Sequence, residues 1–292
     1  MNRREFLWSG SAFLAAPSLG GEAASRGEAA PSAAIRDYES ASGGRVGVHA
    51  EHVRSGVKLA WRAHERFVMC STFKASLAAC VLSRVDAGQE HLDSLVSYRA
   101  SDMQDYAPVA QANLAKGVLS VGAMCKAAVE LSDNTCANLL LSRIGGPGAL
   151  TRFWRTLGDR TTRLDEPEPY LNRTPPGGVR NTTTPASMAF ILRRLVLESA
   201  LSETSRSTLT EWLIGCQTGG NRLRAGLPKE WRVGDKTGNN GNDAAGDIAV
   251  VWPNPDSPII VCVYTRYGSP TSGQLESVFA AIGRTLGTRF SS

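Results

Sequence analysis

Two residue periods divide this chain into blocks, and that division most restricts its fold. RVGVHAEHV and VKLAWRAHE alternate apolar and polar residues on either side of Arg54-Ser55-Gly56, as the arms of a hairpin do. From Ser71 to about Gly215 the apolar spacing changes to three and four, in FKASLAACVLSRVDAG, VGAMCKAAVELSDNTCANLLLSRIGG and PASMAFILRRLVLESAL. These runs read as helices, punctuated by Gly88, by Gly145, Gly146 and Gly148, and by Pro185. Strand-like runs return in WRVGDKTG, DIAVVWP and IIVCVYTRY, and GQLESVFAAIGRTLG reads as a closing helix. The pattern predicts an α/β protein of the α+β type. One antiparallel sheet of about five strands, drawn from both chain ends, packs with helices, and an all-helical lobe is inserted into it. The expected boundaries are 33–70 with 216–292 for the α/β lobe and 71–215 for the helical lobe. Within the latter, TRLDEPEPYLNRTPPGGVRNTTTP has no helical period and predicts a long loop at 163–181, of the kind that is often functional.

The first 32 residues read differently from the rest. A charged start, a weakly apolar stretch and an alanine-rich tail make an export leader, and Arg3-Arg4 followed by Glu5, Phe6 and Leu7 resemble its twin-arginine form. The expected location is therefore periplasmic or secreted. A net charge of +5 is scattered, without a run of five basic residues, so a nucleic-acid partner is not expected. No apolar stretch reaches the roughly 18 to 20 residues of a membrane span, so no membrane partner is expected. The six cysteines sit mostly in apolar runs and read as buried free thiols. His49, His52, His64 and His91 form no metal-ligand spacing, and no histidine-based zinc site is expected.

Candidate chemistry begins at Ser71 and Lys74. A spacing of three at a helix start puts hydroxyl and amine on one face, where they could share a proton, and the helix N-terminus favours developing negative charge. Ser55-Gly56-Val57-Lys58 matches the same spacing, but in a turn whose alternation would send the two side chains apart. Two further elements occur once each and in order: Ser132-Asp133-Asn134 and Lys236-Thr237-Gly238.

With these three motifs the chain resembles the class A serine β-lactamases, from about Gly44 to Thr285, including WRAHERFVMCSTFK, VLSRVDAGQEHLD, NLLLSRIGGPGALT and GDKTG. The resemblance implies hydrolysis of penicillins and cephalosporins through a serine acyl-enzyme, conferring resistance, by a monomer without cofactor or metal. It makes the loop an Ω-loop, in which Glu168 and Asn172 hold the deacylating water. Glu166 has no asparagine at that spacing. Ser71 is the implied nucleophile, its proton taken by Lys74 or, through water, by Glu168. Ser132 is the implied proton donor to the leaving nitrogen, and the backbone N–H groups of Ser71 and Asn239 the oxyanion hole. Lys236, Thr237 and Gly238 would line the substrate's carboxylate site, Asn134 would meet its side-chain amide, and Tyr106 belongs to the same binding set.

Departures from the family pattern shape further expectations. Many members carry an arginine on the strand after Lys-Thr-Gly, whereas NNGNDAAGDIAVVWP has none; Arg222, beside Thr218, matches the alternative arginine of another branch. Cys70 precedes the nucleophile, as in several carbapenem-hydrolysing members, but their partner cysteine would fall at Asn240. The usual Ω-loop neck pair of arginine and aspartate is replaced by Glu166 and Asn181, for which a hydrogen bond is expected instead. The rival readings are a penicillin-binding D,D-peptidase and a β-lactam sensor; Glu168 argues against both. An α/β-hydrolase triad is disfavoured because no histidine follows His91.

Overall fold

A computed structural model describes residues 32–291 of the protein; the leader expected at 1–32 lies outside them except for Ser32. The first element is one the sequence reading did not foresee. Helix α1 (Ala33–Ser42) is capped by the Ser32 hydroxyl and ends at Gly43, whose φ of 71° terminates it. Only Ile35 and Tyr38 are buried on it, too few to stand out beside an alanine-rich leader.

The expected hairpin follows as β1 (Arg45–His52) and β2 (Lys58–Trp61), then a two-residue strand β3 (Phe67–Val68). The helical block comprises α2 (Phe73–Asp86), α3 (Pro108–Ala112), α4 (Val121–Glu130), α5 (Asn134–Ile144), α6 (Pro147–Thr156), α7 (Pro185–Val196) and α8 (Glu203–Ile214). It is not wholly helical. Strands β4 (Leu95–Ser97) and β5 (Val118–Ser120) pair with each other, and β6 (Thr182–Thr183) pairs with β3, so the end of the Ω-loop is tied to the segment entering the nucleophile. Runs of two or three residues are too short to show a period, which is why the sequence pattern missed them. The chain ends with α9 (Leu223–Gly226), β7 (Arg232–Asn239), β8 (Ala245–Trp252), β9 (Ile259–Arg266) and α10 (Ser272–Phe290).

The five long strands form one antiparallel sheet in the order β2-β1-β9-β8-β7. One face, with Val48, Ala249, Val251 and Val263, packs on α1 and α10. The other, with Ile248, Val250, Cys262 and Tyr264, joins the helical core. Burial on both faces explains why β8 and β9 read as near-continuous apolar runs. Helix α2 is buried from Phe73 through Leu82, which its apolar composition on all sides predicts. The core therefore holds α2 still, with its N-terminal end beside β7, the edge strand of the sheet.

Candidate active site

Ser71 lies in a 3-10 turn, Cys70–Thr72, that leads into α2, so it precedes the helix rather than opening it. Cys70 is held at φ 45°, a left-handed conformation rare for a side chain of its kind, and its thiol reaches only the Ala244 carbonyl at 3.9 Å. Such strain is often found at functional turns. The six cysteines are all buried and free.

Edge strand β7 approaches this turn closely. A Cβ on Gly238 would fall 2.6 Å from the Ser71 nitrogen, so glycine is what lets the strand in. The Asn240 N–H bonds to the Ala244 carbonyl, toward β8. Because N–H groups alternate along an extended strand, the neighbouring Asn239 N–H faces the opposite way, off the free edge of the sheet.

Lys74 is fully buried, and its ammonium meets Ser132 O at 2.8 Å, Asn134 Oδ1 at 2.5 Å and Glu168 Oε1 at 3.2 Å. The Ser71 hydroxyl donates to that same Glu168 Oε1 at 3.1 Å. One carboxylate oxygen thus bridges the serine and the lysine that the sequence reading placed on one face. Burial pushes the Lys74 pKa down, and the neighbouring Glu168 charge opposes that shift.

Glu168 is held on all sides. Its Oε2 accepts from Asn172 Nδ2 at 2.8 Å, and its backbone is clamped by Asn138, whose side chain accepts from the Glu168 N–H at 3.0 Å and donates to the Glu168 carbonyl at 2.9 Å. Asn138 was missed in the sequence. Its signal was the spacing of four from Asn134, which puts both amides on one face of α5. Asp133 caps α5 through Cys136 N at 2.8 Å and also accepts the N–H groups of Val109 and Ala110, fixing the segment that carries Tyr106. Tyr106 itself is half exposed at the rim, and its carbonyl accepts from Asn134 N at 2.8 Å.

The Ω-loop neck has the expected contact: Asn181 Nδ2 donates to Glu166 Oε2 at 2.8 Å. Asn181, at φ 54° and fully buried, also accepts the N–H groups of Asp165 and Glu166.

On the sheet side, Ser132 sits at φ 60° with its hydroxyl oxygen 3.4 Å from Lys74 Nζ and 3.1 Å from Lys236 Nζ. Accepting from two ammonium groups, it keeps its own proton for a third partner. Burial, aided by the Lys74 charge, lowers the Lys236 pKa to about 8. Thr237 and Thr218 share a hydroxyl hydrogen bond of 2.5 Å. Arg222 Nη1 donates to the carbonyls of Gly238 and Gly246, at 2.9 and 2.7 Å; among the described residues its other guanidinium nitrogens make no protein hydrogen bond.

A nucleophile hydroxyl bonded to a loop carboxylate, two buried lysines joined by one serine, and a glycine of the edge strand packed against the nucleophile's backbone together form a site suited to acyl transfer. A family model described as "Beta-lactamase enzyme family" matches residues 30–290. An ancestral class A β-lactamase is 49% identical, with 88% of this chain and 98% of that chain covered and a TM-score of 0.85. The chain belongs to the class A β-lactamases. Another solved member, from Xanthomonas campestris pv. campestris, is 43% identical, over 88% of this chain and 96% of that one, with a TM-score of 0.85. A variant of the class A β-lactamase of the last common ancestor of Gram-negative bacteria, bound to 5(6)-nitrobenzotriazole, is 47% identical over 88% of this chain and 96% of its own, with a TM-score of 0.85. Class A enzymes are serine hydrolases of the β-lactam ring, and this member keeps their sheet and helices. Among the described residues no group of His, Cys, Asp or Glu side chains could hold a metal ion, and no helix is long and apolar enough to cross a membrane.

Proposed function

We propose that Ser71 carries the acyl-enzyme of β-lactam hydrolysis and that Glu168 activates the water that releases it. The hydroxyl oxygen of Ser71 attacks the lactam carbonyl, and its proton passes to Glu168 or Lys74, both linked to it through Glu168 Oε1. The Ser71 and Asn239 N–H groups stabilise the oxyanion, a donor of this type contributing on the order of 10² to 10³ in rate. Ser132 gives its proton to the departing nitrogen and recovers one through Lys74 or Lys236. Lys236, Thr237, Thr218 and Arg222 hold the substrate carboxylate, with Gly238 leaving room beside the nucleophile. Asn134, whose Oδ1 is engaged by Lys74, offers its Nδ2 to the substrate's side-chain amide, and Tyr106 borders that end of the cleft.

The observation that carries this reading is the placement of Glu168 and Asn172. The Asn172 Oδ1 atom is buried and has no protein partner, so it supplies the second acceptor that a hydrolytic water beside Glu168 needs. A D,D-peptidase lacks an efficient deacylating water for β-lactams, and a drug sensor needs its adduct to last, so neither has use for such a pair. Glu168→Gln should still be acylated by benzylpenicillin yet release product about 10² to 10⁴ times more slowly, so that mass spectrometry finds a stable adduct on Ser71. Turnover like that of the unaltered enzyme would refute the assignment. The same reading makes the protein a monomeric, exported enzyme of the periplasm or medium that confers resistance, delivered by the leader containing Arg3 and Arg4.

A further inference from the structure

Beyond Asn172 the outer limb of the Ω-loop folds on itself. The Gly178 N–H donates to the Pro175 carbonyl at 3.0 Å, Pro176 fills the second position of that four-residue turn, and Gly177 takes φ 75° at the third, the pattern of a type II turn. A Cβ on Gly178 would fall 2.9 Å from the Thr174 side chain, so glycine lets Thr174 lie over the turn. The Thr174 hydroxyl donates across the limb to the Arg180 carbonyl at 2.7 Å. Two prolines and these bonds make residues 174–180 one stiff unit.

That unit is tied to the sheet by Arg266, the last residue of β9. By strand alternation its side chain lies on the face of Cys262 and Tyr264, and the Tyr264 hydroxyl is already 3.0 Å from Thr72 Oγ1 in the nucleophile turn. Arg266 is only 3% exposed and makes no ion pair among the described residues, a costly placement for a charge unless hydrogen bonds compensate it. They do: its Nη2 donates to the Thr174 carbonyl at 3.2 Å and to the Pro175 carbonyl at 2.6 Å. The Pro175 oxygen thereby uses both lone pairs, one for the turn and one for the guanidinium. Apart from the adjoining Thr182, which donates to the Val179 carbonyl, no other side chain from outside the loop bonds residues 173–180 among the described residues.

We propose that Arg266 is a positioning residue for deacylation: it grips the two carbonyls that follow Asn172 by two and three residues, and so keeps the Asn172 side chain beside Glu168. The proposal rests on the reading of Glu168 and Asn172 as the pair that holds the hydrolytic water. The two members of that pair are not equally secured. Asn138 clamps the Glu168 backbone on both sides, whereas the Asn172 side chain has one protein hydrogen bond, to Glu168 itself. The neck adds a hydrogen bond between Glu166 and Asn181 where most relatives have an ion pair. A charge-assisted grip from the sheet is therefore the stronger hold on the outer limb. Acylation relies on Ser71, Lys74 and Glu168, which α2 and Asn138 hold without it, so release of the grip acts on deacylation.

Rapid-quench kinetics with mass spectrometry on benzylpenicillin separate the two steps in Arg266→Met, Arg266→Lys and Asn172→Ala. Arg266→Met, similar in bulk but without a donor, should acylate within about twofold of the unaltered rate and deacylate about ten- to a hundredfold more slowly, the scale expected for a group displaced by about an ångström. Arg266→Lys keeps a charged donor on a shorter stem, so its loss should again be confined to deacylation and be smaller; it carries the test if the methionine variant does not fold. In the Asn172→Ala background Arg266→Met should slow deacylation no further, because its effect passes through Asn172. Amide hydrogen exchange should quicken in residues 173–180 and not in α2. If the Arg266 variants slow both steps alike, or their effect adds fully to that of Asn172→Ala, Arg266 serves general packing and the proposal is wrong. If they deacylate at the unaltered rate while Asn172→Ala and Glu168→Gln are slow, the grip is refuted and the reading of the water pair stands. Unaltered deacylation in Asn172→Ala would remove Asn172 from the reaction, and this role of Arg266 with it.

Discussion

Changing Asn181 to aspartate replaces a single donor in the Ω-loop neck, and the structure bounds what that does. The Asn181 amide nitrogen sits 2.8 Å from Glu166 Oε2, so in Asn181→Asp an oxygen takes its place beside another carboxylate. At an effective dielectric near 20, two unit charges at that separation repel by about 6 kcal/mol. That energy is not fully expressed, because one carboxyl can take a proton instead. Protonating a carboxyl of pKa about 4 at pH 7 requires about 4 kcal/mol, which caps the penalty, and a hydrogen bond regained by the protonated pair reduces it. Arg180, 3.2 Å from Glu166 but well exposed, offsets little. The remaining role of Asn181, accepting from the Asp165 and Glu166 N–H groups, survives in the carboxylate. We expect a loss of about 1 to 4 kcal/mol at pH 7, a drop of very roughly 2 to 4 °C in Tm per kcal/mol, with slower deacylation as Glu168 loses its placement. The sign with pH is fixed. The variant pair binds more protons folded than unfolded, so its deficit relative to the unaltered protein grows as pH rises from about 4 and shrinks as pH falls. Glu166→Arg added to this variant should restore both stability and turnover, since it rebuilds the ion pair found in most relatives. Thermal melts at pH 5 and pH 7 with penicillin turnover complete the double-mutant cycle. A deficit independent of pH, or additive effects without rescue, would refute the reasoning.

Two other outcomes follow from the site and one from the leader. Arg222→Ala should lower kcat/KM by about 1.5 to 3 kcal/mol if it loses a charge-assisted bond to the substrate. It should also lower Tm, since the Gly238 and Gly246 carbonyls lose their shared donor; unchanged kcat/KM would remove Arg222 from the site. With a pKa near 8 in place of its ordinary 10.5, Lys236 should make kcat/KM for carboxylate-bearing substrates fall above about pH 8, measurable as a basic limb of the pH–rate profile. Its stability term has the opposite sign: between those values the unfolded chain holds more protons, so its contribution to stability rises with pH while activity falls. Replacing Arg3 and Arg4 with lysine should trap precursor in the cell and lower periplasmic activity, whereas unchanged export would place the leader on the Sec route.

What was legible in the sequence was what lies within one contiguous run. Five strand-length segments gave the sheet its strands, and the fixed spacings of Ser71 to Lys74, Ser132 to Asn134 and Glu168 to Asn172 selected residues that the fold does bring together. Even the replaced neck pair was readable, because Glu166 and Asn181 are complementary as donor and acceptor. Contacts between runs were not readable. Asn138 clamps Glu168 from thirty positions away, and the Thr218–Thr237 hydroxyl pair depends on how the segment after α8 meets β7. Helical spacing placed Ser71 and Lys74 on one face, but it carried no information about the Ω-loop carboxylate oxygen that contacts both.

If Arg222 is the carboxylate-site arginine proposed above, the site depends on different packing than an arginine on the strand would. On the strand after Lys-Thr-Gly, an arginine would be fixed by the sheet ladder alone. Here β8 begins with Ala245, and the charge comes from Arg222, at the N-terminal edge of the four-residue α9. So short a helix has little stability of its own and is held by what it packs against. That partner is α10: Cβ atoms on Gly226 or Gly283 would fall 1.8 Å from the Ala280 carbonyl and 2.5 Å from the Leu223 carbonyl, so the two backbones touch through glycine. The Arg222 guanidinium also lies 5.4 Å from the Phe279 ring centroid, at cation–π distance. Its two strand carbonyls complete the arrangement, tying α9 and α10 to the Gly238 stretch that flanks Ser71. The Arg222 charge is thus positioned by helix packing behind the sheet, and under the proposed function a displacement of α10 would reach the substrate carboxylate through Arg222.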